Sequence, residues 1–325
     1  MQAGEAESLV WGELSMNAQH VKPKVAIVGT GAVGGYFGGM LLRVGVPVVM
    51  IGRPSFVEAV RKGGLHLDTT QFQERVDPEV SSDLAAVAGC DVVLFCVKTM
   101  DTRETAKNLA PHLSSTATVV SLQNGVTNVQ DIREAAGIDA VAAVVYVAAA
   151  VPTPGTIKHG GRGDLVIGPP SPRVERIAKL FESASVPCRI SDNIGAELWT
   201  KFIWNCAFNA ISGLGRVTYD QIAEHREAQK VVEAAVYETL AVARAQGIQP
   251  ARFEDPAKTI QAAFKVSEWM MGTRSSTAQD MERGKRTEID ALNGYVAKLG
   301  EKFGIPTPVN QALYALVKLQ ELGFQ

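Results

Sequence analysis

Two hydrophobic patterns divide the chain. Up to about residue 192, short continuous apolar runs alternate with turn residues: Val25–Gly29, Val48–Ile51, Asp91–Lys98, Thr118–Asn124 and Val141–Val151. Runs of this length without polar alternation predict strands covered on both faces. Between the first two lies a helical stretch through Tyr36, Met40, Leu41 and Leu42, stopped at Gly45. Residues 65–80 show neither period and are expected to be irregular. Gly155–Gly160 and Asp164–Gly168 read as two strands joined by the Gly160-Gly-Arg-Gly turn, with His159 as a residue of that loop. A helix from about Arg173 to Ala184 and a last strand at Val186–Ile190 follow.

From Asn193 the period changes to that of amphipathic helices: Ala196–Ile211, Glu227–Gln246, Ala257–Met271, Glu288–Phe303 and Gln311–Leu322, with Gly247, Gly304 and Pro306 marking ends. The prediction is an α/β domain over residues 23–192 and an all-helical domain over 193–325. Residues 1–22 are expected to be a disordered lead, with Met16 as an alternative start.

The first strand runs straight into Gly29-Thr30-Gly31-Ala32-Val33-Gly34, then a helix, then a second strand. A GxGxxG turn alone is weak evidence. Inside a strand–turn–helix–strand unit it predicts a Rossmann-type dinucleotide site, with the pyrophosphate on the helix N-terminus. The second strand ends in Gly52-Arg53-Pro54, where an NAD enzyme usually carries an acidic residue for the ribose hydroxyl. A guanidinium there fits a 2′-phosphate, so NADPH/NADP is the expected cofactor, against the plainer reading of Arg53 as a solvated cation. Lys98 and Asn124 end two further strands at the edge where such sheets bind ligands; alone, each could equally be a surface charge or a turn former before Gly125.

In the first predicted helix of the second domain, Lys201, Asn205 and Asn209 stand at i, i+4 and i+8 among Leu198, Phe202, Ile203, Cys206, Phe208 and Ile211. One ammonium and two carboxamides on so apolar a helix require partners, from protein or from substrate. A lysine on a helix is ordinarily a snorkelling surface residue. Glu288 alone reads as an acid favoured by a helix N-terminus, and Ser276 alone as the cap of a helix beginning near Thr277.

Composition narrows the field. The 325 residues are 46% apolar and 20% charged, with a net charge of -2, so no basic excess points to nucleic acid or an anionic membrane. Four dispersed cysteines without a CxxC pair read as reduced thiols of a cytoplasmic protein, and five scattered histidines offer no metal-ligand spacing. The N-terminal segment lacks the basic and apolar regions of a signal peptide, and the longest apolar run, Ala140–Val151, is far short of the roughly 20 residues a membrane span needs. The apolar stretches of the helical domain suit either its own core or a homodimer face.

With these pieces in order, the chain resembles the ketopantoate reductase (2-dehydropantoate 2-reductase) family over roughly residues 24–323. The most specific matches are Ala196-Glu-Leu-Trp-x-Lys201-x-x-x-Asn205-Cys-x-x-Asn209, Ser275-Ser276-x-x-Gln279-Asp280, and Arg286-Thr287-Glu288-Ile289-Asp290-x-x-Asn293-Gly294. The resemblance implies NADPH-dependent reduction of 2-dehydropantoate to pantoate, in pantothenate and coenzyme A biosynthesis, with Lys201 as general acid. It implies that Asn205, Asn209 and Glu288 bind substrate and that Asn124 and Ser276 contact the substrate or the nicotinamide. It further implies that Arg53 and Lys98 serve the 2′-phosphate and adenosine end. Asn124-Gly-Val-Thr-Asn128 and Thr273 depart from the family pattern beside the substrate, which bears on which 2-oxoacid is taken.

The competing readings are a reductase of another branched 2-oxoacid, a β-hydroxyacid dehydrogenase of the phosphogluconate type, and an NADPH-binding sensor. The dehydrogenase class places glycines before its lysine, where this chain has Leu198-Trp199-Thr200. A sensor has no need of Lys201, Asn205 and Glu288 together.

Overall fold

The computed structural model describes residues 22–249 and 255–324, so nearly all of the lead lies outside the described residues. The first part of the chain comprises β1 (Val25–Val28), α1 (Ala32–Arg43), β2 (Val48–Ile51), α2 (Pro54–Gly63), β3 (Leu65–Asp68), β4 (Gln73–Val76), β5 (Glu79–Ser81) and β6 (Val92–Phe95). It continues through α3 (Thr102–Leu109), β7 (Thr118–Ser121), α4 (Asn128–Ala136), β8 (Val141–Ala150), β9 (Thr156–Gly168), α5 (Pro172–Ser183) and β10 (Cys188–Ile190). These strands form one sheet in the order β4-β3-β9-β8-β7-β6-β1-β2-β5, with β10 on β9. The pairs from β5 through β8 are parallel, whereas β8 and β9 run antiparallel.

β1 lies inside the sheet between β6 and β2, and every one of its residues is apolar and buried. One face of the sheet packs Ile27, Met50 and Leu94 against Phe37 and Phe181; the other packs Val28, Val49 and Phe95 against Ala106, Leu109 and Ile132. Helices on both faces make the sheet doubly wound, with its ligand edge at the carboxyl ends of the parallel strands.

Two sequence expectations are corrected here. Residues 65–80 are not irregular: β3 and β4 form an antiparallel hairpin, and β5 pairs with β2. β4 is mostly exposed, so it has no apolar face to announce it. Likewise, the glycine-rich stretch around residue 161 is no turn. β9 is continuous, and it absorbs register shifts against β8 through positive φ values at Arg162 and Gly163. His159 is therefore a buried strand residue, its ring stacked 4.3 Å from that of Tyr36 and its Nε2 2.6 Å from Arg162 O.

Beyond β10 the described residues are helical: α6 (Ile194–Gly215), α7 (Tyr219–Glu224), α8 (Arg226–Ala245), α9 (Pro256–Trp269), α10 (Ser276–Glu282), α11 (Asn293–Phe303) and α12 (Pro308–Glu321). The helix expected from Glu288 is a short 3-10 turn, Ile289–Ala291, followed by α11; Leu292, at φ -110 and ψ -107, breaks the helical path. α6 is apolar around most of its circumference and lies at the centre of this part. Phe202 and Cys206 pack with Val296 and Leu299, while Ile203 and Phe208 pack with Val232 and Val236. Most of the apolar surplus is thereby buried, although Leu316, Leu319 and Leu322 near the end of the chain stay exposed. Among the described residues no helix is long and apolar enough to cross a membrane.

Candidate active site

The glycine turn is built for close approach. Gly29 sits at φ +99, where a Cβ would come 2.7 Å from Cys96 C, and a Cβ on Gly34 would come 2.1 Å from Gly29 O. These two glycines let the turn fold back against β6 and seat α1 on the sheet. Gly31 differs: a Cβ there would meet nothing within 4 Å, so its small size leaves space outside the protein. No side chain caps α1 and no acidic residue lies in its first turn, so the N–H groups at its start face that space without a protein anion. Thr30, Ala32 and Val33 complete the turn. Gly52 fits against Thr30, where a Cβ would come 2.0 Å from Oγ1, which puts the exposed Arg53 next to the turn. The groove therefore fits a dinucleotide, with the exposed Arg53 beside it.

Asn193 starts α6 by accepting from Ala196 N at 3.0 Å, immediately after β10. Lys201 lies two turns in and reaches the sheet: its Nζ donates to Asn124 Oδ1 at 2.8 Å and to Val145 O at 2.5 Å, with the Tyr146 ring centred 5.9 Å away. Burial is the main cause that lowers its pKa from 10.5 to about 8; the Glu288 carboxylate opposes this, Arg162 adds to it, and Asp164 opposes it. Lys201, Asn205, Asn124 and Gln123 line a narrow cavity with Val145 and Phe202. An ammonium held by two acceptors, with a third N–H in hand and a proton affinity near neutrality, can place a proton on a developing oxyanion.

The remaining predicted residues separate. Glu288 faces the site: its Oε1 accepts from Thr99 N at 2.8 Å, across the seam between sheet and helices. Its side chain thus pairs with the first amide of the 3-10 turn after β6, while its backbone precedes the 3-10 turn Ile289–Ala291. Ser276 is exposed at the start of α10, because the cap is Ser275, whose Oγ accepts from Ala278 N and donates to Asn209 O. The helix begins one residue earlier than its sequence indicated.

Two of the expected site residues have other partners. Asn209 does not face the cleft; it is buried and its Oδ1 accepts from Tyr219 Oη at 2.9 Å. Eight residues along a helix of 3.6 per turn is a rotation of roughly 80°, enough to carry the side chain off the face of Lys201 and into the helical core. Lys98 is not turned to the glycine loop: its Nζ lies 2.5 Å from Asp280 Oδ2 and donates to Arg286 O at 3.1 Å. Folding brings α10 over the end of β6, and the half-buried Asp280 takes the ammonium. Burial raises the pKa of Asp280, and the Lys98 ammonium partly offsets this.

Sequence reasoning missed a buried polar support under Asn124. Its backbone oxygen accepts from Thr99 Oγ1 at 3.1 Å and from Asn128 Nδ2 at 2.6 Å. Asn128 Oδ1 and Gln123 Nε2 both meet Thr102 Oγ1, and Gln123 Nε2 also donates to Val97 O. The available signal was a polar residue directly after each of two apolar strands, at Lys98-Thr99 and Gln123-Asn124.

A doubly wound sheet with a dinucleotide groove, joined to a helical part that delivers a buried lysine to the sheet edge, defines a Rossmann-type oxidoreductase. Comparison with known proteins makes this specific. The family model described as ketopantoate reductase PanE/ApbA matches residues 25–172, and the model of its C-terminal part matches residues 193–321. The 2-dehydropantoate 2-reductase of Pyrococcus abyssi is 32% identical over 308 residues, covering 92% of this chain and 98% of the relative. The crystal structure of a PanE/ApbA family ketopantoate reductase from Ralstonia eutropha JMP134 is 45% identical with a TM-score of 0.85, covering 92% of this chain and 98% of that one. D-mandelate dehydrogenase, solved with NADH and anilino(oxo)acetate, shares the fold at a TM-score of 0.85 and 23% identity, over 93% of this chain and 99% of that one. The chain belongs to the ketopantoate reductase family.

Proposed function

We propose that this protein reduces 2-dehydropantoate to pantoate with NADPH. The observation that carries the reading is Lys201: a largely buried ammonium fixed by Asn124 Oδ1 and Val145 O, lining a narrow cavity with Gln123 and Asn205. Residues 23–192 act as the cofactor domain and residues 193–325 as the substrate and catalytic domain. Gly29, Thr30, Gly31, Ala32, Val33 and Gly34 cradle the pyrophosphate, and Arg53 takes the 2′-phosphate. When bound, the reduced nicotinamide supplies hydride to the carbonyl carbon of the 2-oxoacid. Lys201 holds the carbonyl oxygen by its third N–H and gives up that proton as the oxygen becomes a hydroxyl. Asn124 keeps the ammonium aimed, while Asn205, Ser276 and Glu288 bind the substrate's polar groups.

A second reading, reduction of a bulkier 2-oxoacid, is favoured by one observation. The Tyr146 ring beside Lys201 is followed by Trp204 at 6.4 Å, an aromatic wall next to the acid. A substrate panel separates the two: reduced-nicotinamide absorbance is followed with 2-dehydropantoate, branched and aromatic 2-oxoacids, and, in the reverse direction, 3-hydroxyacids with NADP. The reading expects the highest kcat/KM for 2-dehydropantoate with NADPH. A clear preference for another 2-oxoacid transfers the assignment to the second reading, and oxidation of 3-hydroxyacids alone removes both.

A further inference from the structure

We propose that Thr99 is a positioning residue that ties the Asn124 loop, which aims the proton donor, to Glu288 of the helical domain; this rests on the reading of Lys201 as the acid. Thr99 opens the 3-10 turn that follows β6, at the seam between the two parts of the chain. Its N–H donates to Glu288 Oε1 at 2.8 Å, and its Oγ1 donates to Asn124 O at 3.1 Å. Asn124 Oδ1 in turn accepts from Lys201 Nζ at 2.8 Å. One side chain and one amide thus connect a carboxylate of the helical part to the residue that aims the ammonium.

The residue before it is held as firmly. Lys98 Nζ is gripped by Asp280 Oδ2 at 2.5 Å and by Arg286 O at 3.1 Å, so residues 98 and 99 are tied to the helical part at three points. The path is directional in its consequences. When the helical part sits against the sheet, Glu288 locates Thr99, Thr99 locates the Asn124 carbonyl, and the Asn124 carboxamide orients Lys201. Asn128 Nδ2 gives Asn124 O a second donor at 2.6 Å, so removing the threonine hydroxyl loosens the loop without leaving its carbonyl unpaired. Pre-organisation of an acid requires its rotamer to be fixed by neighbours; the bonds of Lys201 to Asn124 and Val145 already cross the seam, and Thr99 ties the Asn124 loop back to Glu288 of the same helical part.

The test is Thr99→Val, which keeps the β-branched shape and deletes the hydroxyl, alongside Thr99→Ser, which retains it. Single-turnover reduction by Thr99→Val is expected to fall about three- to tenfold, the usual scale for one lost neutral hydrogen bond. The KM for NADPH stays at the wild-type value, and Thr99→Ser restores the rate. A second readout needs no substrate: competitive amine labelling read by mass spectrometry gives the pH midpoint of Lys201. The charged groups acting on that ammonium, Glu288, Arg162 and Asp164, are all retained in the variant. A weakened acceptor at Asn124 therefore shows as a midpoint moved to lower pH, because an acceptor favours the charged form.

A midpoint shift in an enzyme that reduces no 2-oxoacid supports the link and overturns the functional reading. Normal turnover with an unmoved midpoint in Thr99→Val overturns the link and leaves that reading intact. Equal losses in Thr99→Ser and Thr99→Val also overturn it, since the hydroxyl would then not be the agent. Should Thr99→Val fail to fold, Thr99→Ala, which deletes the same hydroxyl with less bulk, takes its place.

Discussion

The pH dependence of turnover follows from the surroundings of Lys201. Burial holds its pKa at about 8 rather than 10.5, against the opposing pull of Glu288. A lysine with lowered proton affinity loses its proton at a pH where an ordinary lysine is still charged, so the loss of the acid falls on the alkaline side. Protonated Lys201 is therefore about nine-tenths of the enzyme near pH 7 and about one-tenth near pH 9, whereas a lysine of ordinary pKa is almost fully protonated at both. The single-turnover rate measured with 2-oxoacid well below its KM, which reports the enzyme before the 2-oxoacid binds, should fall about tenfold over that interval. Single turnover is the assay of choice because slow product release can mask the chemical step. Lys201→Arg, which keeps its charge over the range, is expected to be slow and to lack the alkaline limb. A wild-type rate that stays flat to about pH 9 would refute the account of Lys201 as a buried acid.

Other expectations follow from single positions. Arg53→Asp should raise the KM for NADPH by about ten- to hundredfold, the scale of a lost charge-assisted contact, with little effect on NADH; equal KM values for both cofactors in wild type and variant would remove Arg53 from the 2′-phosphate. Gly31→Ala, which meets nothing within 4 Å, should melt like wild type yet bind NADPH weakly, whereas Gly34→Ala, 2.1 Å from Gly29 O, should lose both stability and binding. Melting curves with and without NADPH check the pair, and undiminished binding by Gly31→Ala counts against the groove. Asn209→Ala should cost about 1–3 kcal/mol in urea unfolding by leaving Tyr219 Oη unpaired. Its KM for the 2-oxoacid should not change; a raised KM would return Asn209 to the substrate.

Features set by short-range pattern were legible in the sequence. β1, the glycine turn, α1 and β2 follow one another within a few turns of chain, and their apolar runs and glycines have few other uses. The Lys201 helix was equally legible, since its apolar circumference demanded a central place. What stayed hidden depends on partners far along the chain. Lys98 and Asp280 are 182 residues apart, so nothing near Lys98 showed that an acid would pair with it. Asn209 was misplaced because a stripe drawn at i, i+4 and i+8 drifts around a straight helix. The hairpin of β3 and β4 gave no signal because β4 is mostly exposed, and the glycines of β9 read as a turn because a bulge needs the same residues. Thr99, Thr102, Gln123 and Asn128 were passed over because each is ordinary alone. Only the fold brings them together beneath Asn124.

The proposed reduction of a 2-oxoacid by NADPH depends on Lys201 as its proton donor. The most direct measurement is the single-turnover rate of Lys201→Ala with 2-dehydropantoate, taken together with its Kd for NADPH. The rate should fall by about two to four orders of magnitude, the range of a lost general acid, with the Kd unchanged. A rate within a few-fold of wild type at the same Kd would contradict the account.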